Sequence, residues 1–161
     1  MSTPAILTVQ LMASTAMAAI AWFVQVVHYP LFSRVGSRGP ECPDDAAENR
    51  LAVGEYHAEN LRRTRPVVLV PMSIEAAASL WIAVAPPAGV PRGAAIVGLA
   101  LVAIALLSTA FLQVPLHAAL RDGAPPPGTV DRLVRTTWIR TVAWTARALL
   151  AAWMIHATKV A

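Results

Sequence analysis

Residues 93–120 read GAAIVGLALVAIALLSTAFLQVPLHAAL, 28 consecutive positions without Asp, Glu, Lys or Arg. As a helix rising 1.5 Å per residue this stretch is about 42 Å long, and roughly 20 apolar residues suffice to cross ~30 Å of hydrocarbon. A second uncharged run extends from Met1 through Ser33. Both are too long for buried helices of a soluble domain, and the reading they impose is an integral membrane protein.

The rest of the composition agrees. Of 161 residues, 57% are hydrophobic and 14% charged, against about 25% charged in soluble domains. The length suits a single domain, 1–161. A net charge of +4 raises the question of nucleic acid, but the basic residues gather in two loops between long apolar spans, as topology signals do; no nucleic-acid partner is expected. Cys42 is the only cysteine, which excludes an intrachain disulfide and a CxxC redox pair. The first apolar run lacks a preceding basic residue and exceeds a signal h-region, so it reads as a retained helix.

The pattern predicts an all-α fold, a four-helix transmembrane bundle with helices at about 4–28, 66–85, 93–116 and 137–158. The first ends at Tyr29-Pro30, the second lies between Pro66 and Pro86-Pro87, and the proline-rich segment Gly123–Gly128 precedes the fourth. The fourth begins near Val130 with a turn or two on the membrane surface. In the first loop, Asp44-Asp45 starts a short amphipathic helix reaching Arg63, with Leu51, Tyr56 and Leu61 resting on the membrane. Four crossings place both termini on one side. Arg34, Arg38, Arg50, Arg62, Arg63, Arg65, Arg121, Arg132, Arg135 and Arg140 fall on the loop side, against Arg92 and Lys159 opposite. The expected placement is a multi-pass protein of the cell membrane, a bacterial inner membrane, with long loops cytoplasmic and termini outside. A short repeat, Gln25-Val-Val-His-Tyr-Pro30 and Gln113-Val-Pro-Leu-His117, reads as two parallel hairpins related by an axis along the membrane normal; coincidence of short motifs is the competing reading.

At 100° per residue, each helix carries one polar stripe: Gln10, Ser14, Gln25 and His28; Met72, Glu75 and Ser79; Thr109, Gln113 and His117; Arg140, Trp144 and Arg147. Lipid cannot satisfy such groups, so the stripes should face the bundle axis. Glu75 lies nine residues from Pro66 and Arg147 nine from Trp138, giving both a depth of about 13 Å. An ion pair between them is the natural solution, as a lock between helices or as the floor of a pocket.

His28, His57 and His117 gather at the cytoplasmic end, and His156 lies at the other. Imidazole moves protons near neutral pH and ligates metals. The three histidines with Glu59 or Glu75 would suit a non-haem metal, and His28 with His117 would suit axial haem ligation. Proton transfer, substrate hydrogen bonding and plain interfacial placement remain alternatives, with no cofactor at all among them. No paired-ligand motif such as HxxxH or ExxH decides. Tyr29, Tyr56, Trp138 and Trp144 suit either an aromatic pocket or interfacial belts. Arg62, Arg63 and Arg65 suit lipid headgroups or an anionic substrate.

The His28-Tyr29-Pro30 exit from the first helix, the Pro115-x-His117 exit from the third and the fourth helix with Trp138, Arg140, Trp144 and Arg147 resemble small bacterial four-span membrane proteins related to the anthrone-oxygenase-like family. Where that family tends to carry a histidine one turn before the fourth-helix arginine, this chain has Trp144. The resemblance implies oxidation by oxygen of an aromatic polyketide-like or quinol-like substrate. The leading expectation is therefore a small membrane oxidoreductase whose hydrophobic substrate enters from the bilayer. In it His28, His57, His117 and Glu75 are catalytic; Tyr29, Gln113, Arg140, Trp144 and Arg147 bind substrate. The alternatives are a haem, metal, quinone or small-solute binding or transport module, the last requiring a homo-oligomer, and a lipid-docked accessory subunit.

Overall fold

The computed structural model describes residues 3–31, 43–122, 126 and 128–160. Arg34, Arg38, Cys42, Gly123, Pro125 and Pro127, and the side chains of Asp44, Asp45, Arg50 and Leu51, lie outside the described set. Four helical rods make up the molecule, with no strand among the described residues. The first is α1 (Thr3–Phe23), a π turn (Val24–His28) and residues 29–31; the second is α2 (Pro43–Val84). The third is α3 (Arg92–Ser108), a second π turn (Thr109–Gln113) and α4 (Val114–Arg121), and the fourth is α5 (Thr129–Val160). Each rod packs on its sequence neighbours and α5 closes the square against α1, so α2 and α5 face each other across a diagonal.

Three rods are long and apolar enough to cross a membrane: Pro4–Leu31, Gly54–Val84 and Arg92–Arg121. The surface is inverted relative to that of a soluble protein. Phe111 is 72% exposed, Leu149 68% and Met12 68%, while Gln10 and Glu75 are wholly buried and Arg147 is 1% exposed. Only a hydrocarbon solvent makes that distribution favourable.

One boundary differs from the sequence expectation. The separate surface helix of the first loop is instead the start of α2, which runs unbroken through Pro66 and Pro71. Each proline removes one backbone bond, leaving the carbonyls of Arg62 and Val67 without an intrahelical donor. Packing at the α2 start opposes that loss: His57 is buried, and a Cβ at Gly54 would lie 3.4 Å from the Arg121 carbonyl oxygen. The fourth rod starts at Thr129, near the expected Val130; its first turns expose Asp131, Arg132 and Arg135 and pack Leu133 with Tyr29 and Leu120. The short α2–α3 connection turns at Gly89, whose φ of 81° suits glycine, with the Val90 N–H bonded to the Pro87 carbonyl.

The repeated motif has a structural counterpart. In one π turn the Tyr29 N–H donates to Val24 O, and in the other the Val114 N–H donates to Thr109 O. The next residue is proline in both cases, Pro30 and Pro115. A π turn inserts one residue just where the ladder must lose a donor, so the helix continues past the proline. The docking is not repeated, however. Gln25 Nε2 donates to the Val134 carbonyl and Gln113 Nε2 to the Thr136 carbonyl, both on α5, whereas a two-fold between hairpins would send them to different rods.

Candidate functional site

The buried polar groups form two sites. Near the centre, Arg147 Nε of α5 lies 2.7 Å from Glu75 Oε1 of α2, so the pair bridges the diagonal. Ser79, one turn from Glu75, ties it in: its hydroxyl donates to Glu75 Oε1 at 3.2 Å and accepts from Arg147 Nη2 at 3.2 Å and Gln10 Nε2 at 3.3 Å. The third rod contributes space. A Cβ at Gly98 would lie 3.1 Å from both Cζ and Nη1 of Arg147, so the guanidinium occupies the volume a larger side chain would fill. Trp144, one turn before Arg147, is fully buried among Met17, Ala21, Val102 and Ala105 and serves as core.

The second site lies at the far end of the same bundle. His57 Nε2 of α2 is 3.0 Å from His117 Nδ1 of α4, with the rings 24° from parallel. One ring must present N–H and the other a lone pair, so the two imidazoles hold one proton between them. His28 Nε2 lies 3.4 Å from Asn60 Nδ2, and Asn60 is one turn from His57. His28 and Arg140 are both within electrostatic reach of His117. Tyr29, 2% exposed, accepts from Thr137 Oγ1 at 3.4 Å; it belongs to the core rather than to an interfacial belt.

The residues expected to act together thus separate. His28, His57, His117, Tyr29 and Arg140 share one end. Gln113 stands nearby as a helix anchor. Glu75 lies 18 residues beyond His57 on α2, about 27 Å along the axis. Glu75 therefore belongs with Arg147 and not with the histidines. Glu59 also turns away, onto an exposed face, where it pairs with Arg62 and Arg63. Among the described residues, no three His, Cys, Asp or Glu side chains converge as metal ligands; the donor set at the histidine end does not fit the proposed three-histidine or histidine–glutamate metal site. Sequence reading missed Asn60 and Gly98. Gly98 was detectable in principle as a small residue at the depth of the buried arginine. Asn60 gave no signal.

Compared with protein-family models, curated proteins and solved structures, the chain matches none. The class that fold and geometry define is a small all-helical membrane protein with a closed ionic layer and a separate histidine site.

Proposed function

We propose that this protein is a four-crossing membrane oxidoreductase in which the histidine end removes a proton from a hydrophobic aromatic or quinol-like substrate. The carrying observation is the 3.0 Å contact of His57 and His117, brought together from residues 60 apart in sequence. The fourth crossing is supported by α5, whose buried positions Leu133, Thr137, Thr141, Trp144, Arg147, Ala151 and Met154 recur every three or four residues along nearly its whole length. The excess of arginines on the loop side supports a cytoplasmic histidine end.

In this reading His117, with His57 behind it, accepts the proton of an acidic O–H, or of a C–H beside a carbonyl. Arg140 pairs with the anion that results. Dioxygen then oxidises that electron-rich anion, the reaction class that the resemblance to anthrone-oxygenase-like proteins implies. An anthrone takes up one oxygen atom as a new carbonyl and the other leaves as water, while a quinol gives up two electrons to become the quinone and dioxygen leaves as hydrogen peroxide. A groove of about 430 Å³ between α3 and α5, lined by Leu101, Ile104, Trp138, Ile139, Val142 and Ala143, gives a substrate dissolved in lipid a way to reach the bundle. Glu75 and Arg147 hold the rods together and take no part in the chemistry.

The test is oxygen uptake by the protein in nanodiscs supplied with anthrone or with a reduced quinone analogue. Wild type is expected to consume oxygen, and His117→Ala to slow it by about 10²-fold or more, the usual contribution of a positioned base, with its melting transition retained. Wild type inert toward both substrates, or a His117→Ala variant as active as wild type, would overturn the proposal.

A further inference from the structure

Beside the histidine pair, in the groove between α2 and α4, the structure assigns a second site with its own chemistry. Ala58, Leu61, Arg62 and Arg65 of α2 and Arg121 of α4 line an open cavity of about 210 Å³. The four α2 positions fall at i, i+3, i+4 and i+7, one face of the helix. Arg121 lies one turn beyond His117, so the cavity is the groove between the two elements that carry the histidine pair.

Charge identifies what the groove takes. Arg62 is engaged by Glu59, and Arg121 Nε is 3.2 Å from Asp122 Oδ1. Arg65 has no acidic partner among the described residues. The groove's charges are Arg62, Arg65 and Arg121 against Glu59, which it shares with Arg63, and Asp122, so the balance is positive. Arg65 immediately precedes the exposed apolar stretch that begins Pro66-Val67, and Arg121 immediately follows the uncharged run 93–120. Arg121 lies level with Gly54, whose added Cβ would meet the Arg121 carbonyl oxygen at 3.4 Å. Gly54 is eleven residues from Arg65, about 16 Å along α2, so the two side chains enter the groove from its opposite ends and their charges bracket it. Leu61 and Ala58 supply an apolar wall for the glycerol and first methylenes. The occupant is the phosphate headgroup of an anionic phospholipid, held by the planar forks of Arg65 and Arg121, a geometry arginine provides and lysine does not.

The experiment is native mass spectrometry of the full chain released from nanodiscs of phosphatidylcholine containing phosphatidylglycerol. Wild type should retain one phosphatidylglycerol in preference to phosphatidylcholine. Each arginine at a membrane surface contributes about fivefold in affinity, so Arg65→Gln/Arg121→Gln should lower the preference about 25-fold. Both positions are exposed, and unchanged melting will show that the variant folds. Arg132→Gln/Arg135→Gln, on α5 away from the groove, should retain the lipid, and Arg65→Lys/Arg121→Lys should bind with intermediate preference. Equal retention of the two lipids by wild type, or wild-type retention by the glutamine variant, would overturn the site. Displacement of the lipid by millimolar inorganic phosphate would overturn the lipid assignment in favour of a soluble phosphate.

Discussion

At the Glu75–Arg147 layer all four rods converge: Gln10 from the first, Glu75 and Ser79 from the second, Gly98 from the third and Arg147 from the fourth. At the histidine end two rings meet directly, His57 on His117, and His28 and His117 are only half-buried. The first arrangement compensates an acid with a base inside hydrocarbon. The second brings several basic groups together at one end. In the proposed reading, the compensated layer opposes separation of the rods, and the histidine end accepts a proton and meets an anion.

Removing half of the ionic layer should give the largest effect on stability. Arg147→Ala strands Glu75 in the core, and losses of about 3–5 kcal/mol follow when a buried pair loses one partner. Glu75→Leu/Arg147→Met, which removes both charges, should cost less than either single truncation. A double-mutant cycle of unfolding in detergent measures the difference. A near-neutral Arg147→Ala would show that water or lipid headgroups reach the layer, and the contrast between the two sites would collapse.

Gly98→Ala comes next. The added methyl meets the guanidinium at 3.1 Å, and overpacking of this kind costs about 1–3 kcal/mol. The clash disappears if the arginine does, so the same substitution in an Arg147→Met background should fall below about 0.5 kcal/mol, the scatter expected for independent sites. Equal costs in both backgrounds would mean that Gly98 serves backbone packing instead.

These two effects rest on features of very different legibility. Pairing of Glu75 with Arg147 could be read from the sequence because helical rise is fixed and hydrocarbon forbids lone charges, so equal depth on two helices suffices. The role of Gly98 could not, since it depends on where the tip of a long side chain lands. Three apolar spans were legible from length alone, but not the continuity of α2 through Pro66, because a proline's local cost says nothing of tertiary contacts that outweigh it. Grouping the three histidines at one end was correct as topology. Adding Glu75 to them was not: a polar stripe defines a face and leaves axial distance to be counted, and that count, 18 residues from His57, separates the two.

The twin glutamines test whether the π turns are equivalent. Gln25→Leu and Gln113→Leu each remove one bond to an α5 carbonyl, worth about 1 kcal/mol, and both should lower the melting transition alike. A clear inequality would mean that one π turn is held by its proline and the other by its anchor.

The smallest effect is expected where the distances are shortest. Glu59 lies 2.7 Å from Arg62 Nε and 2.6 Å from Arg63 Nε, at least as close as the central pair at 2.7 Å. Yet Glu59→Gln should leave the melting temperature of the detergent-solubilised protein unchanged. The difference lies in the reference state: water solvates these exposed charges equally well apart, while Glu75 and Arg147 have only each other and their polar neighbours. Neutralising Glu59 should instead free Arg62 beside the groove between α2 and α4, and so raise retention of phosphatidylglycerol in the same samples. A drop in melting temperature comparable to that of Arg147→Ala would mean that the start of α2 is held down by its surface charges, not by burial of His57 against α4.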